Sequence, residues 1–261
     1  MKLFRSVFFY LILVLSTVIL GCFTVIGSFM HRAWPNLLAR VWGNVNLWAA
    51  GVKVNITGLE NIDDGGPYIF VSNHQGWFDI FAALGKLPVS FSWLAKKELF
   101  KIPVLGVAMS RAGYIPIDRK DHRKAMISMD RAAAAIRQGT SVFIFPEGTR
   151  SADGVVKDFK KGAFILAAKS QQRLVPISIS GSYRILVKND WTIHPGEIGF
   201  SIGKPIETTG TDSGSRDLLM EKVREAIRAN LTPGEAGYGP RLDPETESEI
   251  LHDGGNICGD A

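Results

Sequence analysis

Cysteine is scarce: the 261-residue chain has two, Cys22 in an apolar N-terminal run and Cys258 in a polar C-terminal stretch. Two thiols so placed exclude a disulfide framework or a cysteine-based metal site and fit a reducing compartment. The chain has only five histidines, and no set of them has metal-ligand spacing. A Gly-x-Ser-x-Gly elbow is also missing, which argues against an acyl-serine intermediate. No internal repeat occurs. Apolar residues make up 46% of the chain and the mean hydropathy is +0.10. These values fit one globular domain with a single greasy segment and count against a polytopic membrane protein.

Charge is present but unevenly spread. The total is +5, while Thr232–Ala261 holds seven acids against Arg241, a net of −6, so the preceding residues carry +11. A basic body suits anionic headgroups, a phosphorylated substrate or nucleic acid, and charge alone does not choose among them. Rich in Gly, Pro and acids, the stretch from residue 232 to 261 reads as a disordered polar tail.

From Ser6 to Met30 there is no charge and almost no polar group, enough to span a bilayer. A cleaved signal peptide is the competing reading, and Ile19-Leu20-Gly21-Cys22 resembles a lipoprotein cleavage box. The apolar run continues through Phe23, Val25, Ile26 and Phe29, which favours retention in the membrane. The segment either crosses the bilayer or dips into it and returns. Next, Leu38, Val41, Trp42, Val45 and Trp48 recur at helical spacing, with Asn36, Arg40 and Asn44 on another face. This pattern predicts an interfacial helix within residues 1–50, or an amphipathic helix packed on the domain.

From residue 51 to 231, strand-like and helix-like runs alternate. Strands are expected at Val52–Ile56, Tyr68–Ser72, Val89–Leu94, Tyr114–Ile117, Val142–Phe145, Val175–Ser180 and Ile198–Ile202. Helices are expected at Lys124–Gln138, Gly162–Ser170 and Arg216–Leu231, the last with Ser215 as N-cap. Such alternation predicts an α/β domain with a mostly parallel sheet, whose site lies at strand ends.

Four polar groups follow those strands. Asn73-His74 with Asp79 pairs an imidazole with a carboxylate able to fix its tautomer, leaving the other nitrogen to take a proton. Phe145-Pro146-Glu147-Gly148-Thr149-Arg150-Ser151 joins a turn to a guanidinium suited to bidentate phosphate capture. Gly113 to Asp118-Arg119 and Lys96-Lys97 supply further charges. Taken singly, each reads first as a satisfied core histidine, a surface turn with its own Glu–Arg pair, or a solvated charged face.

In order, the Asn-His-x4-Asp, Gly-x4-Asp-Arg, Phe-Pro-Glu-Gly-Thr-Arg-Ser and Val175-Pro176-Ile177 elements resemble the motifs of the glycerolipid acyltransferases. They are closest to those of the 1-acyl-sn-glycerol-3-phosphate acyltransferases, over about Gly51 to Gly203. One departure is Pro116-Ile117, where many relatives have Phe-Ile. The resemblance implies acyl transfer from a thioester, acyl-CoA or acyl carrier protein, to the free hydroxyl of lysophosphatidic acid. The product is phosphatidic acid, for phospholipid biosynthesis, and neither cofactor nor nucleic acid is expected. His74 is then the general base and Asp79 its orienting partner. Glu147, Gly148, Thr149 and Arg150 hold the acceptor's phosphate and glycerol, with Arg119 and Lys96 as added phosphate partners. Membrane phospholipid is an expected partner, with the domain facing the cytoplasm at the cell membrane. Alternatives are another acceptor (glycerol 3-phosphate or a lyso-aminolipid), a lipid hydrolase, or a non-enzymatic phospholipid-binding protein.

Overall fold

A computed structural model describes residues 2–31, 33–63, 66–187, 189–212 and 214–237. Among these, seven strands form one sheet in the order β1-β7-β6-β2-β5-β3-β4. The strands are β1 Val52–Thr57, β2 Ile69–Ser72, β3 Phe91–Lys96, β4 Ile115–Ile117, β5 Ser141–Ile144, β6 Leu174–Ser180 and β7 Gly196–Ile202. Every neighbouring pair is parallel except β6 with β7. β1 and β7 therefore run opposite to the other five, whose C-terminal ends share one edge.

Both faces of the sheet are covered. Phe70 and Phe143 point to one side, while Ile69, Val71, Val142 and Ile144 point to the other. The second side packs against α5 (His122–Arg137), α6 (Gly162–Ser170) and α8 (Arg216–Arg228). Burial on both faces explains why β2 and β5 read as unbroken apolar runs.

The first side carries α3 (Phe78–Lys86), α2 (Trp34–Ala50) and α1 (Lys2–Gly27). α1 is long and apolar enough to cross a membrane, with a mean hydropathy of 2.5 in its most apolar window. One stripe of it is nonetheless fixed to the domain from end to end. Ser6 Oγ accepts from Ile193 N at 2.9 Å, and Phe9 is buried against Phe78 and Phe81. Trp42 Nε1 donates to Thr17 Oγ1 at 3.0 Å, and Gly27 lies against the Trp34 ring. The opposite stripe, with Phe4, Leu11, Val14, Val18 and Phe23, is exposed.

α2 forms where it was expected, but its polar face is turned inward. Arg40 donates to Leu87 O at 3.0 Å and Asn44 to Gly85 O at 3.0 Å, so these groups tie α2 to α3. Trp48 and Leu37 remain exposed. The crossing is close because Gly43 meets backbone: a Cβ there would lie 2.8 Å from both Gly85 N and Phe81 O. Gly43→Val should therefore cost about 3 kcal/mol and lower Tm by roughly 6–12 °C in detergent. An unchanged Tm would show that the two helices separate freely.

Two further expectations are corrected. Ser215 precedes α8 but does not cap it; its hydroxyl donates to Asp212 Oδ1 at 2.9 Å, closing a turn of its own. The chain after residue 231 does not leave the domain at once. Thr232 and Glu235 form a reciprocal capping box on α9 (Pro233–Ala236), and Glu235 is 2% exposed. Cys258 and the rest of the acidic stretch, residues 238–261, lie outside the described residues.

Candidate active site

The site assembles on the edge where β6, β2, β5, β3 and β4 end. Asn73, directly after β2, binds Ile179 of β6 twice, donating to its O at 2.7 Å and accepting from its N at 2.8 Å. This amide extends the ladder by one rung and fixes where His74 leaves the sheet. His74 is clamped on its own backbone too: its N donates to Glu147 Oε1 at 3.0 Å, and its O accepts from Ser151 N at 2.7 Å. Its ring stacks on Phe145 with centroids 3.9 Å apart and an 11° interplanar angle.

The loop after His74 turns into α3, which brings Asp79 back to the imidazole. His74 Nδ1 and Asp79 Oδ2 are 2.7 Å apart. Asp79 is fully buried and also accepts from Gln75 N at 2.7 Å and Gly76 N at 2.9 Å on the same oxygen. Ser182, opening α7 (Ser182–Ile185), donates to Oδ1. A buried carboxylate is costly unless its lone pairs are filled, and here they are. With Nδ1 occupied, Nε2 is the nitrogen left to accept a proton.

Glu147 is 3% exposed. Its carboxyl points inward to the His74 amide, and Oε2 has no hydrogen-bond partner among the described residues. Burial, with the Asp79 charge adding to it, pushes its pKa up to about 8. At neutral pH the group is therefore mostly an uncharged acid. The carboxyl expected at the acceptor's phosphate lies beneath the His74 loop in this structure. Gly148 holds φ +74°, a region that favours glycine, and Lys160 crowds its Cα. Thr149 is exposed, and Arg150 is half-buried with its guanidinium 5.3 Å from the Trp77 ring centroid.

Arg119 donates through Nη1 to Gly148 O, joining the turn after β4 to the turn after β5. Of the two lysines at the end of β3, Lys97 pairs with Asp118, which holds that carboxyl below the usual range. Lys96 points to solvent with Glu98 at 4.0 Å. The strand-end geometry thus gives Lys97, not Lys96, the place beside the Asp118-Arg119 turn.

Between this rim and α1 lies a groove of about 640 Å³. Arg150, Asn189 and Asp190 line it together with Trp77, Phe9, Tyr10, Leu13, Phe81, Leu186, Val187 and Trp191, so it carries one guanidinium, one carboxylate and long apolar walls. Among the described residues, no group of three or more His, Cys, Asp or Glu is placed to ligate a metal ion.

Three residues were not legible from motif reading: Gln75, Ser182 and Glu235. Gln75 Nε2 donates to Glu235 Oε1 at 2.9 Å, and Gly181 N donates to the same oxygen at 2.9 Å. The Thr232-Pro233-Gly234-Glu235 capping pattern was the one local signal for Glu235.

Residues 53–180 match the model of the acyltransferase family. A chloroplastic 1-acyl-sn-glycerol-3-phosphate acyltransferase of Arabidopsis thaliana is 36% identical over 87% of this chain and 64% of its own length. One from Limnanthes alba is 30% identical over 81% of this chain and 75% of its own. The chain spans 59–64% of the length of three plant and algal relatives. The crystal structure of the 1-acyl-sn-glycerophosphate acyltransferase from Thermotoga maritima superposes with a TM-score of 0.76 at 29% identity. That match covers 87% of this chain and 92% of the other. Sequence, sheet topology and the geometry around His74 therefore agree, and this chain belongs to the family of the 1-acyl-sn-glycerol-3-phosphate acyltransferases.

Proposed function

We propose that the protein transfers an acyl group from an acyl thioester, acyl-CoA or acyl carrier protein, to the free hydroxyl of lysophosphatidic acid, giving phosphatidic acid. The observation that carries this reading is the His74–Asp79 pair, 2.7 Å apart at the sheet edge. A hydroxyl is a poor nucleophile at neutral pH. His74 Nε2 takes its proton as it attacks the thioester carbon, and Asp79 stabilises the imidazolium. Collapse of the tetrahedral intermediate then expels the thiol, to which His74 returns the proton. Arg150, with Thr149 and the Gly148 turn, takes the acceptor's phosphate, and the apolar groove beside it takes a chain. Arg119 and Lys97 add positive charge to the rim.

The packing of α1 supports the membrane arrangement in this reading. A helix bonded along one stripe to the catalytic domain cannot cross the bilayer without drawing that domain into hydrocarbon, where its polar loops would lose water. α1 therefore lies in the plane of one leaflet of the cell membrane with its exposed stripe in lipid, and the site opens at that surface. This gives a lipid acceptor direct entry while the donor arrives from the cytoplasm.

The test is to incubate purified protein in detergent with lysophosphatidic acid and a radiolabelled acyl thioester. Labelled phosphatidic acid supports the reading, and labelled free fatty acid would instead indicate hydrolysis. Arg150→Ala should raise the KM for lysophosphatidic acid by about 10- to 100-fold, the loss of a charge-assisted contact, with kcat little changed. An unchanged KM would contradict the phosphate role.

A further inference from the structure

We infer that Ser182 is a positioning residue for the His74–Asp79 pair, setting the pH at which His74 becomes an effective base. The inference rests on the transfer reaction proposed above. The two oxygens of Asp79 have unequal support. Oδ2 carries His74 Nδ1 and the two backbone amides. Among the described residues, Oδ1 has one donor, the Ser182 hydroxyl. Gln75 Oε1, at 3.4 Å, is farther from that hydroxyl, so its single proton goes to Asp79.

The backbone is built to deliver this hydroxyl. Gly181 turns the chain out of β6 at φ +82°, where a Cβ would lie 2.9 Å from Glu197 O. Ser182 then opens α7, fully buried. Glu235 of α9 holds that strand end through Ser180 Oγ at 2.6 Å and Gly181 N at 2.9 Å. The same carboxylate holds Gln75, whose amide supports the other oxygen of Asp79. One buried acid from α9 thus braces both sides of the pair.

A hydroxyl aimed at a carboxylate offsets part of its charge. Without it, the field at the imidazole becomes more negative, so His74 keeps its extra proton to higher pH. The acid limb of kcat should then move upward, while binding of the acceptor, whose phosphate is assigned to Arg150 and not to Ser182 or Asp79, stays the same. Titratable or charged groups facing the pair are Glu147 on the His74 amide, Glu235 through Gln75, and Lys157, whose charge acts on Glu147. All three remain in the variants, so a difference between profiles reports Ser182.

The experiment compares wild type, Ser182→Ala, Ser182→Cys and His74→Ala with lysophosphatidic acid and acyl-CoA from pH 5 to 9. Ser182→Ala should lower kcat up to about tenfold on the acid limb, with the loss shrinking as pH rises above it. Its acid limb should move up by about one pH unit, the effect of one lost charge-assisted hydrogen bond, with KM unchanged. Ser182→Cys keeps nearly the same shape with a weaker donor and should shift the limb in the same direction; it also serves if the alanine variant does not fold. An unmoved limb in both, or a loss confined to KM, would overturn the assignment. If wild type makes no product at any pH with either acyl-CoA or an acyl carrier protein thioester, the transfer reading fails on its own. Ser182 is then judged by NMR titration of the His74 ring, whose midpoint should rise by about one unit in Ser182→Ala and would refute the inference by staying still.

Discussion

Replacing His74 with alanine should lower kcat for acyl transfer by about 10²–10⁴-fold, the range supplied by a positioned general base, while the protein still folds and binds membrane. The fold should survive because His74 is anchored to the protein mainly through its backbone, to Glu147 and Ser151, and those bonds persist in the variant. What disappears is the nitrogen opposite Asp79. Steady-state assays at saturating donor and acceptor, beside circular dichroism and vesicle sedimentation, separate chemistry from folding. Asp79→Asn should fall in the same direction and lose stability as well. The stability it loses reports the missing charge, because the amide oxygen can take the three N–H donors of Oδ2 while its NH2 donates to the Ser182 hydroxyl. Turnover of His74→Ala within a few-fold of wild type would mean that the base lies elsewhere.

The fold was legible where physics is local. All seven strands were expected because the central ones are covered on both faces and so need continuous apolar runs. α5, α6 and α8 were expected because each presents one apolar stripe to that sheet. α4 (Leu105–Arg111) was not, because its entry is unusual: Val104 sits at φ +64° and Leu105 N bonds back to Pro103 O at 2.7 Å. No residue pattern announces such a turn, and a β-branched residue is a poor match for it. α3 has nine residues and follows its motif directly, too short for periodicity to stand out.

For the site, the motifs located His74, Asp79, Glu147 and Arg150, but only packing could give Glu147 its orientation. The choice between Lys96 and Lys97 depended on how β3 ends, which adjacent identical residues cannot reveal. Ser182 lies 103 residues from Asp79, and Glu235 lies 160 from Gln75. Neither separation is a spacing that a motif can encode. The inward face of α2 has the same origin. Asn44 and Arg40 look like a solvent stripe until the open carbonyls at the end of α3 are placed opposite them.

Glu147 should make the protein's stability depend on pH, and glutamine should remove that dependence. Its folded pKa of about 8 lies above the ordinary value of 4.5. Below pH 4.5 both folded and unfolded states hold the proton, and the group adds no penalty. Between pH 4.5 and 8 the unfolded chain gives it up while the folded one retains it, so stability falls as pH rises, and it levels off above pH 8. The full penalty is roughly 3–5 kcal/mol. Glu147→Gln keeps an oxygen for the His74 amide and never ionises. Unfolding in urea should therefore give similar free energies for the two proteins at pH 5 and a variant more stable by about 3 kcal/mol or more at pH 8. Parallel curves for the two proteins across that window would show that Glu147 ionises freely and is not buried as an acid. The same variant bears on chemistry. If the carboxyl acts only as a neutral support under His74, turnover at pH 7 should stay within a few-fold of wild type. Glu147→Ala, which strips the acceptor from the His74 amide, should instead misplace the ring and lower kcat by at least tenfold, about the effect of one buried donor left unpaired.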